Sequence, residues 1–399
     1  MPEEVLKWMK LGLQETSLKQ CGALTAHSQQ ELHHPSSLFS FFGGYMMKEM
    51  EKFDMAVAIE TTQQCNLQCR TCFQKNKNPV DMPFNQVQRI IDCAALLKEY
   101  LSLNNVMITL TGGEPLLYPF LVETATYAHE QGLVTSLVTN GTLFSRQRAD
   151  HLKSAGLNWI AVSLDGHTQE ILSTVRNVDF DRVMDAVTTS LDFGFYTSIS
   201  YTITRTNRQY LRDIVELMHP LGLDQIHFNH FIPLGRGSDN SFELALDVET
   251  NREAQAQIRH LFIEYYYKGL YITSGCPTFG LTDTQYPFRI ETLLNPKVQG
   301  VQVPKCTLGY NVTVTTTGDV IPCIMLRSIS LGNINECDLI SVWNNSLSQE
   351  YRKGSHLKGK CKICEYNHIC RGCRGRALGM VDDAYGEDPL CWHTPQVMI

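Results

Sequence analysis

The stretch Met55–Cys72, "MAVAIETTQQCNLQCRTC", sets an apolar run directly before three cysteines spaced Cys65-x3-Cys69-x2-Cys72. The run reads as a buried strand, so the cysteines sit at its C-terminal end. Their number is informative. Disulfides need pairs, and a structural zinc site usually takes four ligands. Three thiolates suit a metal centre that keeps one coordination position for something other than protein. Zinc remains an alternative on spacing alone, although no fourth Cys or His stands nearby at the usual interval.

Outward from this strand, the pattern repeats. Apolar, β-branched runs recur at Val106–Leu110, Val134–Thr139, Trp159–Leu164, Thr197–Ile203 and Gln225–Phe231. Between them lie segments with helical periodicity. In Asn85–Leu101, for example, Val87, Ile90, Ile91, Ala94, Leu97 and Leu101 recur at intervals of three and four. Similar segments cover Phe120–Gln131, Arg146–Ala155, Phe180–Phe193 and Tyr210–Leu221, each followed by a Gly or Pro stop signal. Six strand–helix units imply an α/β fold with a parallel sheet, either open and doubly wound or an incomplete (β/α) barrel. A further helix at about 249–268 closes this region. Past about residue 275 the chain is richer in Cys, Gly and Thr and poorer in helical pattern. The expected organisation is an N-terminal extension at 1–51, an α/β core at 52–274 and a Cys-rich domain at 275–399. The extension includes an amphipathic helix (Val5, Trp8, Met9, Leu13) and the stretch "LFSFFGGYMM", and reads as a packing cap.

Composition excludes several classes of function. The 399 residues carry a net charge of −7 and no dense Lys/Arg run, which argues against a nucleic-acid partner. No apolar run approaches the roughly 20 residues needed to span a bilayer, and the early acids of "MPEEVLKWMK" do not suit a signal peptide. The expected location is cytoplasmic. There, fourteen cysteines argue for metal or redox chemistry rather than a disulfide framework.

Every conspicuous polar or glycine-rich signal falls at the end of a predicted strand. After the cysteines come "TGGEP" (Thr111–Pro115), "TNG" (Thr139–Gly141), "SLDG" (Ser163–Gly166), "TRTN" (Thr204–Asn207) and "IPLGRG" (Ile232–Gly237). This is the edge where barrels and open α/β sheets build their active sites. A single glycine pair would be only a turn; six such signals in register define a site.

Cys-x3-Cys-x2-Cys after a first strand, followed by Gly-Gly-Glu-Pro after a second, resembles the radical S-adenosylmethionine (SAM) superfamily over about residues 52–235. The resemblance implies a partial (β/α)6 TIM-type barrel. It implies that Cys65, Cys69 and Cys72 hold three irons of a [4Fe–4S] cluster, and that SAM chelates the fourth iron. Reductive cleavage of SAM would then yield a 5′-deoxyadenosyl radical that abstracts hydrogen from a second substrate. By the same resemblance, Gly112 and Gly113 let the backbone approach the methionyl amino group, and Glu114 accepts from it. Ser163 and Arg176 hold the SAM carboxylate, and Asn140 and Asp165 meet the ribose or sulfonium region. Thr71 stands where the family often has an aromatic residue; Phe73 is the expected cover for the adenine.

The C-terminal cysteines run Cys306, Cys323, then Cys361-x2-Cys364-x5-Cys370-x2-Cys373, and Cys391. This series is similar to the SPASM extension, a small Cys-rich domain with a β-hairpin and short helices that holds one or two auxiliary iron–sulfur clusters. The resemblance implies one four-thiolate set of Cys361, Cys364, Cys370 and Cys391. A second would use Cys306, Cys323 and Cys373, with Cys276 a possible fourth ligand. The family most often has three residues between the third and fourth grouped cysteines, and here there are two. Zinc ribbons are the alternative for this region, though seven thiols fit two tetrahedral sites poorly. Cys21, Cys93 and Cys337 read as inert, His33, His34, His227 and His230 as surface or strand residues, and Asp382, Asp383, Glu387 and Asp388 as a solvated acidic loop.

The resemblance implies an oxidoreductase or maturase that oxidatively modifies a ribosomally made peptide by cross-link, thioether or decarboxylation. The alternative is an oxidase or decarboxylase of tetrapyrrole side chains in a haem pathway. A third class, a non-catalytic iron–sulfur carrier or sensor, would have no use for Glu114, Ser163 and Arg176. The implied partners are a flavodoxin- or ferredoxin-type electron donor and, for a peptide, a separate recognition protein. No residue stands out as a catalytic base or radical relay.

Overall fold

Parallel strands buried on both faces should read as continuous apolar runs, and residues 55–60 do. In the computed structural model this run forms β1 (Met55–Thr62), buried at every position but one. The structure describes residues 54–75, 79–266, 268–281, 308–367 and 370–395. The expected N-terminal extension, with Cys21, His33 and His34, lies outside the described residues, as does Cys306.

From β1 the sheet builds in one direction through β2 (Val106–Gly112), β3 (Val134–Thr139), β4 (Trp159–Ser163), β5 (Tyr196–Ile203) and β6 (Gln225–His230), each parallel to the last. A seventh parallel strand, β7 (Tyr271–Ser274), follows the helix Val248–Tyr266 and pairs with β6, Gln225 opposite Tyr271. Only six strands are visible in the sequence, because four residues after a long helix are too few to show alternation. The core thus has one strand more than a (β/α)6 unit.

The other edge of β1 is taken by the C-terminal part of the chain. β8 (Val312–Val314) pairs parallel with it, Val57 opposite Val312, and continues as a hairpin through β9 (Asp319–Ile321) to β10 (Gly332–Asn333). One ten-stranded sheet therefore runs from β10 to β7, crossing the expected boundary at 274/275. It is open, with β7 and β10 as its edges among the described residues.

Helices cover the sheet where the periodicity places them. Phe84–Tyr100 buries Val87, Ile90, Ile91, Ala94 and Leu97 on one stripe. Val87, Ile90, Ile91 and Leu97 each contribute about 1.5–3 kcal/mol by leaving water. Phe180–Asp192 starts where the Asp179 carboxylate accepts from Arg182 N at 2.8 Å, a cap worth about 1 kcal/mol. Short helices Leu339–Asn344, Ser346–Lys353, Gly359–Ile363 and Arg374–Val381 complete the C-terminal region. Among the described residues no helix is long and apolar enough to cross a membrane. Because β1 to β7 are all parallel, their C-terminal ends share one edge, and the loops flagged by the sequence gather there.

Candidate functional site

The cysteine loop leaves β1 past a register irregularity between Glu60 and Thr62. Gly113 N donates to Thr62 O and Glu114 N to Gln64 O, both at 2.7 Å. This pairing brings the backbones so close that a Cβ at Gly112 would lie 2.1 Å from Thr62 O, and one at Gly113 2.1 Å from Gln64 O. The two glycines therefore let the loop after β2 lie flat against the segment that delivers Cys65.

Each sulfur of the triad receives one N–H. Leu67 N donates to Cys65 Sγ at 3.4 Å, Gln74 N to Cys72 Sγ at 3.4 Å, and Arg176 Nη1 to Cys69 Sγ at 3.6 Å. Burial pushes the Cys65 and Cys69 thiols up, with Arg176 opposing it at Cys69. Bare thiolates are thus disfavoured here, and a metal that takes them as ligands supplies the missing compensation. Among the described residues, the three sulfurs do not gather within 4.8 Å of one another. A lone zinc ion, with Zn–S distances of about 2.3 Å, would need them closer.

The residues expected to touch SAM are mostly turned toward protein. Glu114 is 0 % exposed; Oε1 accepts from Leu116 N at 3.1 Å and from Thr139 Oγ1 at 2.7 Å, and Oε2 accepts from Asn140 N at 2.7 Å. Burial nevertheless raises its pKa. Asn140 Nδ2 donates to Asn66 Oδ1 at 2.9 Å, and Asn140 Oδ1 accepts from Thr142 N at 2.9 Å. Asp165, also 0 % exposed, accepts from Thr202 N at 2.6 Å and pairs with Arg176 Nε. Glu114, Asn140 and Asp165 therefore brace the loops after β2, β3 and β4 against the cysteine loop. Their polar atoms make these bonds because all three side chains are buried, where an unpaired polar group is costly. Ser163 ends β4, half-buried, opposite Ser200. Phe73 is half-buried beside the triad.

Further residues complete this edge, some from a flagged loop and some, such as Glu60 and Arg327, that the sequence does not single out. In the loop after β6, Gly237 N donates to Cys72 O at 3.0 Å and Arg236 Nε to Cys69 O at 3.4 Å. "IPLGRG" is conspicuous in the sequence, but nothing in its composition says which loop it meets. Glu60, inside β1 and 0 % exposed, accepts from Arg327 Nη1 at 3.0 Å and Nη2 at 2.8 Å, and from Gln74 Nε2 at 2.5 Å. That network ties the cysteine loop to the C-terminal hairpin.

The second group of cysteines divides in two. Cys361, Cys364, Cys370 and Cys391 line one open recess, together with Tyr366, Arg371 and His393. Burial pushes Cys370 up strongly and Cys391 to about 11, which disfavours their bare thiolates. Two residues of the recess, Cys364 and His393, also form a smaller grouping with Glu365.

Cys373 and Cys276 meet at Arg376, behind that recess. Arg376 Nη1 donates to Cys276 Sγ at 3.3 Å and its backbone N to Cys373 Sγ at 3.4 Å. His230 Nε2 lies 3.1 Å from Cys373 Sγ, and burial lowers its pKa to about 3. Cys323 is half-buried just beyond β9. One expectation is corrected here. Asp388 does not belong to a solvated loop: it is 0 % exposed and pairs with Arg376 Nη2 at 2.6 Å, because a buried guanidinium needs a counter-charge.

Comparison with known proteins agrees with this geometry. Residues 59–228 match the radical SAM superfamily, and residues 306–374 match SPASM, an iron–sulfur cluster-binding domain. The AdoMet-dependent heme synthase of Methanosarcina barkeri is 29% identical over 358 residues, covering 85% of this chain and 96% of the relative (AdoMet is SAM). The PqqA peptide cyclase of Bradyrhizobium diazoefficiens is 27% identical over 363 residues, covering 86% and 87%. The solved structure of native anSMEcpe with bound AdoMet and Cp18Cys peptide superposes with a TM-score of 0.63 at 19% identity, over 84% of this chain and 94% of that one. At that identity the likeness concerns the fold. The two matched regions contain Cys65, Cys69 and Cys72 and, of the C-terminal cysteines, Cys306, Cys323, Cys361, Cys364, Cys370 and Cys373. The chain is an enzyme with a radical SAM superfamily domain and a C-terminal SPASM domain, families that bind a [4Fe–4S] cluster, SAM and auxiliary iron–sulfur clusters.

Proposed function

We propose that this enzyme oxidatively modifies a tetrapyrrole side chain, with removal of propionate carboxyl groups as the reaction. The observation that carries the substrate class is the similarity to AdoMet-dependent heme synthases, which extends over 96% of the Methanosarcina barkeri relative. Further relatives include an Fe-coproporphyrin III synthase at 27% identity and a pre-heme d1 synthase at 25%. This reverses the order expected from sequence motifs, which put a peptide first.

Cys65, Cys69 and Cys72 would hold the SAM-binding cluster and Cys361, Cys364, Cys370 and Cys391 an auxiliary one. Cys276, Cys323, Cys373 and Cys306 would serve a second. When bound, the first cluster supplies the low-potential electron that cleaves SAM to methionine and a 5′-deoxyadenosyl radical. Arg176 holds Cys69 through a charge-assisted contact, and the Glu114–Asn140–Asn66 chain keeps the triad in place. Ser163, at the open end of β4, remains the candidate for the SAM carboxylate. Arg236, half-buried over the cysteine loop, offers a cation to an anionic substrate. For each propionate, one hydrogen atom goes to the adenosyl carbon, the carboxylate leaves as CO2, and one electron remains to be accepted. An auxiliary cluster held in the cysteine-lined recess would accept that electron.

A peptide substrate is the second reading, favoured by the similarity to PqqA peptide cyclases over 86% of this chain. The test is an anaerobic reaction of reconstituted enzyme with SAM and a low-potential reductant. A coproporphyrin-type substrate and short peptides encoded beside the gene are offered in parallel. Loss of carboxyl mass from the porphyrin is the expected result. A peptide that loses two hydrogens, with the porphyrin unchanged, would overturn it in favour of the second reading. Cys65→Ala, Cys69→Ala or Cys72→Ala should release no 5′-deoxyadenosine.

A further inference from the structure

Arg376 and Asp388 form an ion pair with both side chains 0 % exposed, between the two sets of C-terminal cysteines. Burying such a pair is costly, and packing alone does not require it. Its contacts point to a specific use. Arg376 Nη1 donates to Cys276 Sγ at 3.3 Å and its backbone N to Cys373 Sγ at 3.4 Å, while Nη2 holds Asp388. Asp388 Oδ2 also accepts from Cys373 N at 2.7 Å, and Asp388 N donates to Cys361 Sγ at 3.5 Å. Arg374 Nη2 reaches the same Cys361 sulfur at 3.7 Å. One donor is left over: Arg376 Nε has no hydrogen-bond partner although it is buried. A buried, unpartnered N–H beside two sulfurs is where a further acceptor belongs.

We propose that the Arg376–Asp388 pair sets the redox potential of the auxiliary cluster that Cys276 and Cys373 help to hold. The proposal rests on the reading that these cysteines are cluster ligands. Reduction adds negative charge to a cluster. A fixed guanidinium donating to its thiolates stabilises the reduced state and raises the potential; a fixed carboxylate lowers it. In a site with no exposed surface, water screens neither charge. The pair thus acts as a positioned dipole whose positive end faces the sulfurs.

The test is an EPR-monitored redox titration, made in the full-length chain with Cys65, Cys69 and Cys72 replaced by Ala so that auxiliary clusters alone contribute. Arg376→Gln is expected to lower one midpoint potential, and Asp388→Asn to raise the same one, with iron and sulfide content retained. Arg376→Lys, which keeps the charge and loses the fork, should fall between Arg376→Gln and the parent. Potentials that stay unchanged, or move in the same direction in both neutral variants, would overturn the proposal. Loss of iron from all three variants would also overturn it, in favour of a purely structural pair. If the parent with Arg376 and Asp388 intact takes up no iron, the ligand reading itself fails, and the two failures are distinguished.

Discussion

Asn140 Nδ2 donates to Asn66 Oδ1 across 2.9 Å and so joins the loop after β3 to the loop that carries Cys65, Cys69 and Cys72. The same Asn140 gives its backbone N–H to Glu114, so three loops from three strands meet at one residue. Such a junction stiffens a metal site from outside its ligands.

Asn140→Ala removes the link to Asn66 and leaves Thr142 short of an acceptor. We expect about 0.5–1.5 kcal/mol of lost stability from the broken hydrogen bonds, because Asn66 is exposed and Thr142 only half-buried. Reconstituted protein should also retain less iron at the three-cysteine site after gel filtration. Unaltered iron content together with an unaltered urea midpoint would show that the junction contributes nothing.

Arg327→Ala leaves the fully buried Glu60 without its bidentate partner. The expected cost is about 3 kcal/mol, at the low end for a broken buried pair because Arg327 is partly exposed. Adding Glu60→Gln to this variant should recover part of the loss. Chemical denaturation of the apo protein measures both, and a second substitution that costs more than it recovers would contradict the pairing.

Gly113→Ala would place a methyl group 2.1 Å from Gln64 O, which only a shift of the backbone can relieve. We predict a loss of about 3 kcal/mol or more, or no folded protein. Where the variant folds, SAM binding by equilibrium dialysis should weaken at least about tenfold, since 1.4 kcal/mol of displaced loop suffices for that.

His227 has its pKa lowered to about 4 by burial, against about 6.5 for a free imidazole. The unfolded chain therefore binds a proton that the folded chain refuses. Stability from this group is fully present above about pH 6.5 and is lost as the pH falls toward 4, by up to about 3 kcal/mol. His227→Gln should flatten the change in urea midpoint between pH 7 and pH 5; an equally steep change in the variant would assign the effect elsewhere.

Much of this enzyme is legible in its amino-acid order. The apolar runs from β1 to β6 and the stripe Val87, Ile90, Ile91, Ala94 and Leu97 are visible because burial on a periodic element leaves a periodic trace. Cys65, Cys69 and Cys72 are legible because their spacing is local. β7 is not, since four residues carry too little pattern. Asp388 reads as solvated because a buried acid in an acidic stretch looks no different from its neighbours until its partner is known.

Local pattern alone dictates the order of strands and helices, and it places the polar loops on one edge of a parallel sheet. Both follow from periods of two and 3.6 residues along a single chain. Which loops touch is a matter of the tertiary fold. The fold sets β8 against β1, turns Glu114, Asn140 and Asp165 inward as braces, and brings Cys276 to Arg376 across a hundred residues of chain. Contacts of that kind depend on packing and on compensating buried charge, and these are properties of two distant segments together that neither segment's local pattern records.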